Sequence, residues 1–262
     1  PVTELVTGLD LVELMLRVAA GEKLPMAQKD IKLNGWAIES RLYAEDPYRN
    51  FLPSTGRLTK YRPPEEGGSH ERVIRNDTGV YEGGEISTFY DPMIAKLCTW
   101  APSRIEAIDA MAAALDEFEV EGVGHNLPFL STVMQQERFR EGRLTTGYIA
   151  EEFPEGFSGA QLEEPVLQRI GAFAAVAAFS HESRGFADAS ASALHEQVRE
   201  RSAVIGGHSW NFAISERHGE YWLQHEGGRI LVEMHWQPGD TIARARVDGE
   251  VLVLKVKRTT GG

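Results

Sequence analysis

Residues 34–58, NGWAIESRLYAEDPYRNFLPSTGRL, carry the pattern that decides how the first half of the chain is read. From Trp36 onward the side chains alternate. Trp36, Ile38, Ser40 and Leu42 fall on one face, and Ala37, Glu39, Arg41 and Tyr43 on the other. A period of two is the mark of a β-strand, because successive Cβ atoms point to opposite sides of the pleat. Asp46-Pro47 ends the run, since proline has no N–H to give a ladder. Arg41 stands in the middle of this strand with two readings open. Glu39, two residues away on the same face, can hold it in an ion pair. Alternatively its always-charged planar fork of donors is mounted on a rigid strand to bind a carboxylate, or an oxygen that turns negative during a reaction. Periodicity does not choose between the two.

Working outward, TGLDLVELMLRVAAGE (7–22) predicts a helix. Thr7 is the expected N-cap with Asp10 three residues on, Leu11, Leu14 and Val18 lie at helical spacing, and Gly21 closes the end. Short strands are predicted in GRLTKYRP, ERVIRNDTG and EISTFYDP. SRIEAIDAMAAALDEF is a helix with a Ser103/Glu106 capping box and a stripe of Ile105, Ile108, Met111 and Leu115. Another helix runs through LPFLSTVMQQERF after Asn126, with Pro128 in its first turn. Helical stretches are expected over 166–182 and 188–201. Beyond 208 the chain alternates strands (SWNFAISER, EYWLQHE, RILVEMHW, TIARARV, EVLVLKVKR) with turns at His218-Gly219, Gly227-Gly228, Pro238-Gly239 and Asp248-Gly249, as an antiparallel sheet or barrel would.

The bulk properties narrow the function. The 262 residues are 42% hydrophobic and 25% charged, ordinary for a globular chain of one or two domains. A net charge of −12 argues against nucleic acid or an anionic membrane as the main partner. The longest apolar run, AFAAVAAF (172–179), is far short of the roughly 20 residues of a membrane span. Cys98 is the single cysteine and reads as a buried small hydrophobe in a reducing compartment. No glycine-rich phosphate loop, nucleophile elbow or zinc-spaced histidine pair occurs. The chain opens on Pro1 and stops at KRTTGG after a strand-like run, and is read as part of a longer polypeptide.

The order of short motifs adds a further reading. PVTELVTGLDLVELMLRVAAGEKL, ESRLYAEDP, FLPSTGRLTKYRPP, FYDPMIAKL and GVGHNLPFL follow one another as in biotin carboxylases. The resemblance covers residues 1 to about 150. NGWAIESRLYAEDPYRNF and FPEGFSG are similar to the biotin-containing alpha subunits of propionyl-CoA carboxylases, and residues 165–262 would fall in the biotin-transfer-type interaction domain of that family. The implied fold class is α+β: a biotin carboxylase C-terminal subdomain over 1–155, a linker over 156–165, and over 166–262 a helix with an antiparallel β-barrel, incomplete at Gly262. Methylcrotonyl-CoA and acetyl-CoA carboxylase subunits share most of the first set of motifs and stay open. So does a non-catalytic scaffold that docks a partner through its β-rich tail, for which Trp210, Trp222 and Trp236 are the candidates, with an inward core position the default for each.

The resemblance implies a ligase that uses ATP, magnesium or manganese, and bicarbonate to form carboxyphosphate and carboxylate protein-bound biotin, while a carboxyltransferase beta subunit performs the final transfer in a hetero-oligomer. Arg41 matches the family's arginine facing the biotin ureido oxygen, in E-x-R-x-x-A-E-D-P. Glu39 supports it. Asp91 in FYDPMIAKL either orients Arg41 or caps a turn, and Thr146 stands where relatives place a residue against adenine. Ser40, where relatives often have cysteine, lies on the opposite face and takes no role. The metal carboxylates, phosphate lysines, bicarbonate arginine and catalytic glutamate are expected before Pro1. The biotin-bearing MKM motif and its carrier domain are expected beyond Gly262, so residues 1–262 alone are expected to be inactive. The expected compartment is the cytoplasm, or the mitochondrial matrix in a eukaryote.

Overall fold

The alternating stretch forms strand β1 (Trp36–Tyr43), with Ile38, Ser40 and Leu42 buried and Arg41 exposed. The computed structural model describes residues 1–184, 198–217 and 220–256. They fall into two units, Pro1–Ala160 and Gln161–Gly262.

In the first unit β1 joins β2 (Gly67–Gly68), β3 (Val73–Thr78) and β4 (Met93–Ala101) in an antiparallel sheet of order β1-β4-β3-β2. β4 is the strand that periodicity does not reveal. It pairs on both edges, and most of MIAKLCTWA is buried, so its apolar residues fall on both faces and do not alternate with polar ones. Helix α1 (Val2–Thr7) packs against β1 and β4 and sends Glu4 to Arg75 on β3 (2.7 Å). Helix α2 (Leu11–Ala19) is capped by Asp10, which accepts from the Glu13 N–H (2.8 Å). The Thr7 cap is therefore corrected: Thr7 ends α1, and Gly8 in the left-handed region separates the helices.

Helix α3 (Arg104–Glu117) carries the Ser103/Glu106 capping box. Ile108, Met111 and Leu115 are buried, but Ile105 is exposed, because the alanines at 107, 110, 112 and 114 widen and shift the packed face. Thr99 on β4 donates to the Ala107 carbonyl (2.8 Å), fixing α3 over the Ile38/Thr99 face. Helix α4 (Leu127–Gln135) breaks at Gln136, whose extended backbone starts α5 (Glu137–Arg140), and α6 (Tyr148–Glu152) follows. Only Glu85–Ile86 of EISTFYDP is a strand. Within the segment 156–165, Phe157 is buried in this unit against Tyr48, Phe129 and Phe153.

One glycine is required by close approach. Gly35 has φ +65°, and a Cβ there would lie 2.5 Å from the Ala101 carbonyl oxygen and 2.6 Å from the Trp100 ring. The same ring donates its Nε1–H to the Asn34 carbonyl (2.7 Å) and cannot swing away without losing that bond. Gly35→Ala is expected to lower stability by about 1–3 kcal/mol, read as a lower urea midpoint at unchanged slope. A wild-type midpoint would show that the β1 entry can open.

In the second unit α7 (Glu164–Arg184) lies against a six-stranded antiparallel meander: β5 (Arg199–Ile205), β6 (His208–Arg217), β7 (Glu220–His225), β8 (Gly228–Met234), β9 (Ile242–Val247) and β10 (Glu250–Lys255). Ala172, Phe173, Ala175, Val176, Ala177 and Phe179 bury α7 on most of its circumference, and the helix contacts β5, β6, β8 and β9. The sheet thus curls around the helix as a half-barrel, in agreement with the α+β reading. The helix expected over 166–182 is contained in α7. The one expected over 188–201 is corrected at its end, where 199–201 open β5; pairing with β6 overrides the helical propensity of Arg and Glu. Residues 188–197, and the His218-Gly219 turn, lie outside the described residues. Asp248-Gly249, with φ +50° and +84°, makes the tight turn that joins β9 to β10.

Candidate active site

The open face of β1 presents Glu39, Arg41 and Tyr43. A groove of about 610 Å³ runs along it, walled by α4 through Phe129 and Leu130 and lined as well by the loop that carries Thr146. Glu39, Arg41 and Thr146, chosen from sequence as separate candidates, line this one groove.

Arg41 donates its Nε–H to Glu39 Oε1 at 2.8 Å. The arginine side chain is 57% exposed and the glutamate only 17%, so the carboxylate is the fixed partner and the guanidinium reaches outward. Hydrogen bonding to Glu39 and then to the Tyr43 hydroxyl, with the charge of Glu39, raises the Arg41 pKa and keeps it charged. The ion pair exists, yet it occupies one of the five donors of the fork. The two readings of Arg41 therefore coexist: Glu39 aims a cation whose remaining donors can meet a ligand.

The strand is held in register here by a residue that the sequence reading used only to start a helix. Asn126, 6% exposed, accepts from the Tyr43 N–H (2.9 Å) and donates from Nδ2 to the Arg41 carbonyl (3.1 Å). These bonds bracket the irregularity between Leu42 and Tyr43, where the β1–β4 register shifts. Asn126 therefore fixes the backbone on which Arg41 stands.

Asp91 accepts from the Met93 N–H (2.9 Å) and caps the turn into β4. Its charge acts on Glu45, a groove residue that sequence reasoning missed. Burial, and then the negative charge of Asp91, push the Glu45 carboxyl above the usual carboxylate range. Cys98, opposite Glu39 on β4, is fully buried, and burial followed by the charge of Glu39 pushes its thiol up to about 12. Among the described residues no cluster of three His, Cys, Asp or Glu side chains could hold a metal ion, and no described helix is long and apolar enough to cross a membrane. In the second unit Trp236 is buried and donates to the Asp240 carbonyl (2.8 Å). Trp210 stacks on His208, and Trp222 lies under the Arg229 guanidinium at 4.3 Å.

Residues 39–151, which build the groove, match the biotin carboxylase C-terminal domain family, and residues 171–262 match the propionyl-coenzyme A carboxylase BT domain family. The chain carries a biotin carboxylase C-terminal domain followed by a BT domain. Its biotin carboxylase portion and BT portion occur together in relatives of similar sequence. The chain is 52% identical over 280 positions to the propionyl-CoA carboxylase alpha chain of Ruegeria pomeroyi, covering 100% of this chain and 41% of that one. It is 41% identical over 216 residues to the mitochondrial propionyl-CoA carboxylase alpha chain of Homo sapiens, covering 82% of this chain and 28% of that one. The biotin carboxylase domain dimer of Hydrogenobacter thermophilus 2-oxoglutarate carboxylase, solved in complex with MgADP, ADP and bicarbonate, is 43% identical with a TM-score of 0.56. That similarity covers 62% of this chain and 34% of the other. The chain thus spans less than half the length of these relatives.

Proposed function

We propose that this chain is part of the biotin carboxylase subunit of an acyl-CoA carboxylase, with propionyl-CoA as the acyl substrate of the assembled enzyme. The reaction is the carboxylation of protein-bound biotin at the expense of ATP and bicarbonate, with magnesium or manganese held by residues outside this chain. The observation that carries this reading is the tethered but open guanidinium of Arg41 over a groove shared with Thr146. Biotin, when bound, supplies the ureido nitrogen that takes up the carboxyl group and an oxygen that gains negative charge as that nitrogen loses its proton. Arg41 donates to this oxygen most strongly when its charge is greatest, which is the condition for lowering the barrier. Glu39 orients the donor, and Thr146 lies against adenine in the same groove. Asp91 supports the floor by capping the β4 turn and acting on Glu45.

The BT-type unit is the docking element for a carboxyltransferase beta subunit, and the carrier domain of the same polypeptide delivers biotin to the groove. Acyl-CoA choice rests with the beta subunit; the BT match and the named relatives favour propionyl-CoA over methylcrotonyl-CoA and acetyl-CoA. The compartment is the cytoplasm, or the mitochondrial matrix in a eukaryote.

The test compares the complete subunit with residues 1–262 alone in ADP release dependent on bicarbonate and free biotin. The complete subunit is expected to turn over and residues 1–262 to show none. Turnover by residues 1–262, or a complete subunit whose ADP release ignores biotin, would overturn the reading.

A further inference from the structure

The loop bearing Thr146 has no core of its own. Residues 141–146 are all exposed, and Thr146 makes no hydrogen bond among the described residues. Ordering such a segment costs backbone entropy, so something at its borders must hold it. One side chain reaches almost every border. Arg138 on α5, only 18% exposed, donates Nε–H to the Arg143 carbonyl (2.9 Å), Nη1 to Glu152 Oε1 (2.9 Å), and Nη2 to Glu151 and to Thr145 Oγ1 (3.5 Å). Its guanidinium lies 5.1 Å from the ring centroid of Tyr148. Thr145 also donates to Glu151 (3.3 Å). The residues so gripped, 143 and 145 before Thr146 and 148, 151 and 152 after it, bracket the loop on both sides.

We infer that Arg138 is a positioning residue for nucleotide binding: it holds the 143–148 loop so that Thr146 stays at the groove wall. The inference rests on the reading of Thr146 as the adenine contact. The role needs a planar fork, because the acceptors lie in different directions and the ring face is used as well. A lysine ammonium has the charge and cannot reproduce that geometry. Arg138 does not itself line the groove, so it acts through the loop and not on the ligand.

The test uses the complete holoenzyme with Arg138→Gln, Arg138→Lys and, as a control on the site, Thr146→Trp. Arg138→Gln is expected to raise the KM for ATP about tenfold while kcat stays within about twofold and the KM for biotin is unchanged. Amide exchange of residues 143–148 should quicken while that of β1 does not. Arg138→Lys should recover little of the loss. Faster exchange in the loop with an unchanged ATP KM would overturn the inference, as would full recovery by lysine. Thr146→Trp separates the two readings. If it raises the ATP KM and Arg138→Gln does not, the positioning role alone falls; if it leaves the ATP KM unchanged, the adenine assignment falls and takes this inference with it. Should Arg138→Gln fail to assemble, Glu152→Gln removes one acceptor, and an ATP KM unchanged in that variant would equally overturn the role.

Discussion

Arg41→Lys in the complete carboxylase is expected to lower turnover by about 10²–10³-fold, the loss typical of removing one preorganised donor to a developing oxyanion. The substitution keeps the positive charge and loses the fork. In the native groove Nε is committed to Glu39 at 2.8 Å and the Tyr43 hydroxyl takes a further hydrogen bond, and the remaining donors are left for the ligand. A lysine has one ammonium for both tasks: paired with Glu39 it no longer reaches the biotin oxygen, and turned to the oxygen it loses its aim. Because Arg41 is on the open side of β1 and the buried face is untouched, the melting temperature should hardly move. The measurement is kcat for bicarbonate- and biotin-dependent ADP release beside a thermal melt. Wild-type turnover would reduce Arg41 to its ion pair with Glu39.

Asn126→Ala should show the opposite balance, a large loss of stability together with a loss of function. The side chain is buried and satisfies two backbone groups, the Tyr43 N–H and the Arg41 carbonyl, at the point where strand register shifts. Alanine leaves both without their partner, and buried unpaired polar groups cost about 1–3 kcal/mol each, so a total of about 2–6 kcal/mol is expected in urea unfolding. The freed bulge lets the Arg41 backbone drift, so turnover should fall even in protein that remains folded. A stability change below about 0.5 kcal/mol would mean that solvent replaces both bonds and that the anchor is unimportant.

Sequence showed what is written locally. Alternation in β1 separated the buried Ile38/Ser40/Leu42 face from the Glu39/Arg41/Tyr43 face, and a Ser-x-x-Glu spacing placed the start of α3. β4 escaped because a central strand covered on both sides has no polar face to mark it. β5 escaped because Arg-Glu-Arg favours a helix until β6 pairs with it. In the site, Arg41 and Glu39 were legible because they are neighbours on one strand. Asn126 was not, since its partners are 83 and 85 residues away in the chain. Arg138 was hidden for a different reason: ERF in a helix reads as a solvated charge, and only the chain reversal before α6 brings its acceptors around it. Glu45 stands in the same motif as Arg41 and was given no role, because its raised pKa comes from burial and from Asp91 across the fold.

The burial of Cys98 has a practical side. It is the chain's single cysteine, sits at the centre of β4 with no exposed surface, and holds its proton at neutral pH. Thiol reagents attack the thiolate, so the folded sheet is silent to them. Any alkylation at neutral pH then times the opening of β4 away from its neighbours, a built-in clock for sheet breathing. Within residues 1–262 the same silence leaves a clean background for a reporter cysteine placed beside the groove, with no native residue removed from the core.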